Sequence, residues 1–179
     1  MLVWIDLEMT GLDPKRHQIV ELATVITDDD LNLVATGPDI VVGATDVVLE
    51  AMDPFVVNMH TQSGLLAEIK SSTVTLADAQ AQTLDFLRAN ISQSGLAPLC
   101  GNTIGTDRRF LAEQANEIDE FLHYRSIDVS SVKELARRWH PEILKGAPVK
   151  KRGHRALDDI LESIEELKYY KKCFFRLRS

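Results

Sequence analysis

The sequence predicts an α/β domain with a mixed five-stranded sheet flanked by helices, and two observations carry that prediction. Three strand-like segments come first, residues 2–7, 19–27 and 31–42, each rich in β-branched and aliphatic side chains. After them, helical and strand-like segments alternate. Such an order gives a sheet that is antiparallel on one side and parallel on the other.

Each element has its own local signal. The run Asp28, Asp29, Asp30 between the second and third strands predicts a hairpin turn. Residues 75–90 place Leu76, Ala79, Leu84 and Leu87 at helical spacing, with Thr75 as N-cap and Asp78 standing in for the Glu of a capping box. Residues 96–100 form a short apolar strand, and residues 106–117 read as a helix. A strand over 126–129 and a helix over 131–139 follow, the helix ended by Pro141. The last helix spans about 155–172. The stretch "APVKKRG", residues 147–153, combines Pro, Gly and consecutive cations and reads as a loop, placed to face a substrate. No repeat or linker divides the 179 residues, which are expected to form a single domain, 1–179.

Composition narrows the function classes. The chain is 45% hydrophobic and 26% charged, as in ordinary globular proteins. It has no apolar run of membrane-spanning length and no signal-peptide pattern, so a cytoplasmic location without membrane contact is expected. Cys100 and Cys173 fit no zinc or redox spacing and are expected to be reduced packing residues. A net charge of −7 opposes coating of long nucleic acid, but not capture of a short anionic substrate.

The chemistry-bearing residues are acidic. "VWIDLEMTG", residues 3–11, sets Asp6 and Glu8 on one face of a strand while Val3, Ile5 and Leu7 take the other. On an edge strand with one wet face, that pair would be unremarkable. In a central strand, buried carboxylates are costly unless a cation balances them. Asp107 opens a predicted helix, where the helix dipole alone favours an acid, yet it also lies near the sheet end where α/β proteins bind ligands. In "GHRALDDI", Asp158 shares a polar helix face with Arg155, Glu162 and Glu165 and is expected in solvent. Asp159 aligns with Ala156 and Ser163 and is expected to point inward as a metal ligand. His154 precedes that helix on a loop able to swing over the same acids, and an imidazole there could serve as general base.

Taken in that pattern, Asp6, Glu8, Asp107, His154 and Asp159 resemble the DEDDh family of 3′-to-5′ exonucleases. The strings "WIDLEMTGLDP", "CGNTIGTDRRFL", "HYRSIDVSSVKELARRWHPEIL" and "HRALDDI" are similar to the branch that degrades very short RNA, across nearly the whole chain. The resemblance implies a ribonuclease-H-like fold and two divalent ions, Mg²⁺ or Mn²⁺, held by Asp6, Glu8, Asp107 and Asp159. It implies that His154 activates water, and that single-stranded RNAs of two to about five nucleotides, especially dinucleotides, yield 5′-mononucleotides. It further implies that Leu12, Phe55 and His60 wedge or stack the bases, and that Thr103, Tyr124, Arg125 and Ser130 cap the 5′ end. A homodimer is implied too, with Tyr124 and Arg125 reaching into the partner's site. Phe55 and Thr103 depart from the family, where Trp and Ser are familiar.

Three other readings compete. The first strand also approximates the DxDxT start of haloacid-dehalogenase phosphatases, although Glu8 stands where the second Asp belongs and no later Lys and paired-Asp pattern follows. A DNA-trimming exonuclease would share the same five residues. A non-catalytic nucleic-acid-binding module is the third, and the acidic net charge disfavours it.

Overall fold

The computed structural model describes residues 1–149 and 153–174. A mixed five-stranded sheet runs through it in the order β3-β2-β1-β4-β5, formed by β1 (Leu2–Met9), β2 (Ile19–Thr27), β3 (Leu33–Val41), β4 (Pro98–Gly101) and β5 (His123–Asp128). β1 pairs antiparallel with β2 and parallel with β4, and β4 pairs parallel with β5. The central position of β1 removes the edge-strand explanation for Asp6 and Glu8.

Strand alternation splits β1 between two apolar layers. Val3, Ile5 and Leu7 pack with Leu84 and Leu87 of α4 (Leu76–Asn90), with Phe110 and Leu111 of α5 (Gly105–Gln114), and with Ile118 of α6 (Asn116–Phe121). Trp4 faces the opposite layer with Ile160, Ile164 and Tyr170 of α8 (Ala156–Phe174) and Ala136 of α7 (Val129–Trp139). The indole N–H of Trp4 donates to Thr27 Oγ1 at 3.0 Å, so this ring is buried without an orphan donor. With helices on both faces, β2 is buried at all nine of its positions.

Local chemistry sets the turns and caps. Asp28 closes the β2–β3 hairpin by accepting from the backbone N–H of Asp30 and of Asn32, at 2.9 and 2.8 Å. Thr75 and Asp78 form a reciprocal capping box at the start of α4, with bonds of 3.1 and 3.0 Å.

The structure departs from the sequence pattern in three places. The helix expected over 106–117 breaks at Ala115 (φ −140°, ψ 51°), and the turn there lets Ile118 join the layer that holds Phe110. Between β3 and α4 the chain forms α1 (Asp46–Glu50), α2 (Pro54–Gln62) and α3 (Leu65–Ser71), which no long periodic run announces. They are held instead by a compact cluster of Val20, Leu49, Met52, Leu65 and Ile69. Cys100 is buried as expected, whereas Cys173 is exposed. Of the loop expected over 147–153, residues 150–152 lie outside the described residues. Among the described residues, no helix is long and apolar enough to cross a membrane.

Candidate active site

The acidic cluster gathers at the C-terminal end of β1. Pairing with β4 is recorded at Val3 and Trp4, and β4 ends at Gly101. Further along, the Leu7 N–H donates to Asp107 Oδ1 of α5 at 3.1 Å. That bond brings the buried Asp107 carboxylate up to the strand that carries Glu8.

Asp6 and Glu8 share one face of β1 by strand alternation, Asp6 half-buried and Glu8 buried. From the other side, α8 supplies Asp159 in its first turn. Asp159 is half-buried and its neighbours Ala156 and Ser163 are buried, while Asp158 is exposed, as their helix faces predict. His154 sits just before the helix at φ +50°, a left-handed conformation uncommon for any residue with a Cβ. One ligand atom each from Glu8, His154 and Asp159 lie within 4.8 Å of one another.

Electrostatics within this cluster are unfavourable as it stands. Burial, then the charges of Asp159, Glu21 and Asp107, push the Glu8 carboxyl up to about 8, with Arg155 pulling the other way. Burial likewise pushes Asp107 up to about 7, against the lowering effect of its own backbone N–H and that of Leu7. Oxygen donors so crowded and so poorly balanced suit a divalent cation, a hard ion that prefers carboxylate oxygens.

The residues expected to meet substrate are spread over several elements of the chain. Leu12 is 73% exposed, and its exposure has a local cause. Gly11 lies so close to the His17 ring that an added Cβ would come within 2.6 Å of it, and the Asp13 N–H donates to His17 Nδ1 at 2.9 Å. The loop therefore closes around His17 and turns Leu12 outward. Phe55, 74% exposed, lies in the first turn of α2, its N–H donating to the Asp53 cap. Tyr124, 73% exposed, stacks on His123 at 4.4 Å between centroids and lies under the Arg125 guanidinium at 5.3 Å. Thr103 is held at φ +55° because its N–H donates to both Asp128 Oδ1 and Ser130 Oγ, at 3.0 and 3.2 Å.

His60 corrects the expectation of a base-stacking ring. It is fully buried on α2, with Nε2 2.9 Å from the Met9 carbonyl and Nδ1 3.8 Å from Glu8 Oε2. An enclosed ring offers no face to a base. It packs against the end of β1 instead, and burial lowers its pKa.

Residues 3–167 match the exonuclease family known as RNase T. The chain is 53% identical over 174 residues to an oligoribonuclease of Mycobacterium sp. (strain KMS), covering 97% of this chain and 81% of that one. It is 52% identical over 177 residues to an oligoribonuclease of Marinobacter nauticus, covering 98% and 97%. The chain belongs to the oligoribonuclease family. It is a nuclease, a hydrolase of the DEDDh exonuclease group. Exonuclease I of E. coli, solved with single-stranded DNA and zinc, shares the fold at a TM-score of 0.73 and 14% identity, and this chain spans 41% of its length. The mixed sheet is thus that of the ribonuclease-H-like exonucleases.

Within this oligoribonuclease-family fold, two groups of residues next to the site escape sequence patterning. Gln114, at the end of α5, donates to the carbonyls of Pro14 and His17 and accepts from the Ile19 N–H, fixing the loop that carries Leu12. Glu21, Glu68 and Arg155 form a salt-bridged clamp at the start of α8. Arg155 was expected in solvent beside Asp158, yet it is only 27% exposed at its side chain. One signal for the clamp was available: Glu21 is a lone carboxylate in the otherwise uncharged strand "IVELATVIT".

Proposed function

We propose that this chain is a 3′-to-5′ exoribonuclease that hydrolyses very short single-stranded RNA, diribonucleotides above all, to 5′-mononucleotides. The observation that carries the reading is the convergence of Glu8, Asp159 and His154 within 4.8 Å, with Asp107 buried alongside. Asp6, Glu8, Asp107 and Asp159 would hold two divalent ions, Mg²⁺ or Mn²⁺. Bound there, such ions supply Lewis-acid stabilisation of phosphate charge and ease the ionisation of water.

The protein's own groups do the rest. His154 lies on the loop side of the acids and accepts the proton of the attacking water as general base. Its φ of +50° is a strained conformation of the sort that clusters at active sites. Leu12 and Phe55 present exposed apolar and aromatic surface to unstacked bases, which suits single strands. The Thr103, Ser130 and Asp128 cluster, with Tyr124 and Arg125, closes around the 5′ end and rewards a short substrate. Tyr124 and Arg125 are assigned to the partner's site in a homodimer, consistent with a tyrosine ring 73% exposed on a single chain. His60 takes no part in stacking and supports the end of β1.

The deciding experiment is cleavage of 5′-labelled RNAs of two to about seven nucleotides, beside matched DNAs, with and without a chelator. A steep preference for the diribonucleotide, lost on chelation, is expected. Equal rates at every length, or on DNA as on RNA, would replace this reading with that of a general exonuclease.

A further inference from the structure

Arg155 immediately follows His154, and its side chain is held in a clamp by two carboxylates, those of Glu21 and Glu68. Its Nε donates to Glu21 Oε1 at 2.8 Å, while Nη1 and Nη2 donate to the two oxygens of Glu68, both at 2.9 Å. Glu21 uses its second oxygen to accept the N–H of Ala156, the first residue of α8, at 3.0 Å. The same helix turn is closed by the Asp159 N–H donating to the Arg155 carbonyl at 3.0 Å. Glu21 is fully buried and stands directly opposite Glu8 in the β1–β2 ladder. The clamp thus refers the height of α8 to the strand pair that carries Glu8.

Glu68 adds a second reference. It belongs to α3, which packs through Leu65 and Ile69 into the cluster beneath α2, the helix that carries Phe55 and His60. A guanidinium forked between two carboxylates is a rigid connector, because its planar donors fit carboxylate geometry and lose little freedom on binding.

We propose that Arg155 is a positioning residue for the hydrolysis. Its fork between Glu21 on β2 and Glu68 on α3 fixes the first turn of α8 so that His154 and Asp159 face Glu8, and joins α8 to the α2–α3 unit. This inference rests on the exoribonuclease reading above. An alternative role, mere neutralisation of buried Glu21, makes different predictions and can be separated from it.

The test compares wild type with Glu68→Gln, Arg155→Lys and the double variant Glu21→Gln/Arg155→Met, which removes the buried charge together with its partner. Each is assayed for kcat and KM on a diribonucleotide, for the pH profile of kcat, for Mn²⁺ affinity by calorimetry, and for thermal midpoint. Groups that orient a metal site from behind its ligands are worth about 10- to 100-fold in affinity or activity. The double variant is expected to lose kcat and Mn²⁺ affinity on that scale while KM changes little, with Arg155→Lys intermediate. Glu68→Gln should lower kcat several-fold at an almost unchanged midpoint, since a half-exposed ion pair contributes little to stability. Wild-type kcat and wild-type Mn²⁺ affinity in the double variant would overturn the proposal. Should that variant fail to fold, wild-type values in both Glu68→Gln and Arg155→Lys would overturn it equally. An inactive wild type would instead count against the exoribonuclease reading itself.

Discussion

Glu8 and Glu21 are Cα partners in the β1–β2 ladder, both are buried, and their carboxylates have opposite surroundings. Glu21 is matched by Arg155 and the Ala156 N–H, whereas Glu8 faces Asp159 and Asp107. The difference makes metal-free stability depend on pH. With Glu8 raised from 4.5 to about 8 and Asp107 from 3.8 to about 7, the folded chain keeps protons that the unfolded chain has released. Well below the unfolded values, under about pH 3, both states are protonated and the two groups cost almost nothing. As pH climbs towards 8 the folded state is penalised, because it binds more protons than the unfolded one. In chelator, the thermal midpoint should therefore fall by roughly 5 °C or more between pH 5 and pH 8, and Mn²⁺ should recover most of it at the upper end. Glu8→Gln should flatten the slope. A midpoint that rises over this range in chelator would show the acids to be balanced already.

Adjacent acids in the first turn of α8 should behave very differently. Asp159 shares the Glu8 and His154 cluster while Asp158 is exposed, so Asp159→Ala should abolish metal-dependent cleavage and Asp158→Ala should stay within a few-fold of wild type. His154→Ala should lower kcat by roughly 10² to 10⁴ and leave Mn²⁺ affinity mostly intact, as loss of a general base does. Calorimetric loss of Mn²⁺ binding in His154→Ala would make that residue a ligand instead. Parallel losses in Asp158→Ala would undo the assignment of helix faces.

The legible parts of the fold were those in which one local rule dominates. The alternation of Val3, Ile5 and Leu7 against Trp4, Asp6 and Glu8 reports two faces because a strand has period two, and the Thr75–Asp78 box reports a helix start because two backbone donors need partners. The helices α1 to α3 were not legible, since each has fewer than three turns and owes its stability to the shared cluster around Val20 and Leu65. His60 and Arg155 failed for a related reason. Their burial is decided by Met9, Glu21 and Glu68, partners far away in sequence that no periodicity can reveal.

Thr103 offers a trade between strain and use. Its φ of +55° costs a residue with a Cβ on the order of 1 kcal/mol, and Asp128 and Ser130 hold it there. Thr103→Gly should keep or slightly raise the thermal midpoint, because glycine adopts this conformation freely. It should also raise KM for the diribonucleotide, since the hydroxyl at the proposed 5′ cap is gone. A Thr103→Gly variant with lower stability and unchanged KM would mark the position as structural alone.

Tyr124 allows the proposed exchange between subunits to be tested by mixing. Its exposed ring contributes little to the fold of one chain, so Tyr124→Ala should unfold at the wild-type temperature yet cleave poorly. If the ring serves the partner's site, a dimer of one Tyr124→Ala chain and one Asp159→Ala chain contains one intact site. That site combines the acids of the first chain with the tyrosine of the second. Random exchange makes about half of the dimers mixed, so two nearly inactive proteins should together recover about a quarter of wild-type activity. If Tyr124 serves its own chain, every site in the mixture lacks either the ring or the acid, and the mixture stays inactive. Equilibrating the two proteins and following diribonucleotide cleavage over time therefore separates the two arrangements by the appearance, or absence, of a rising rate.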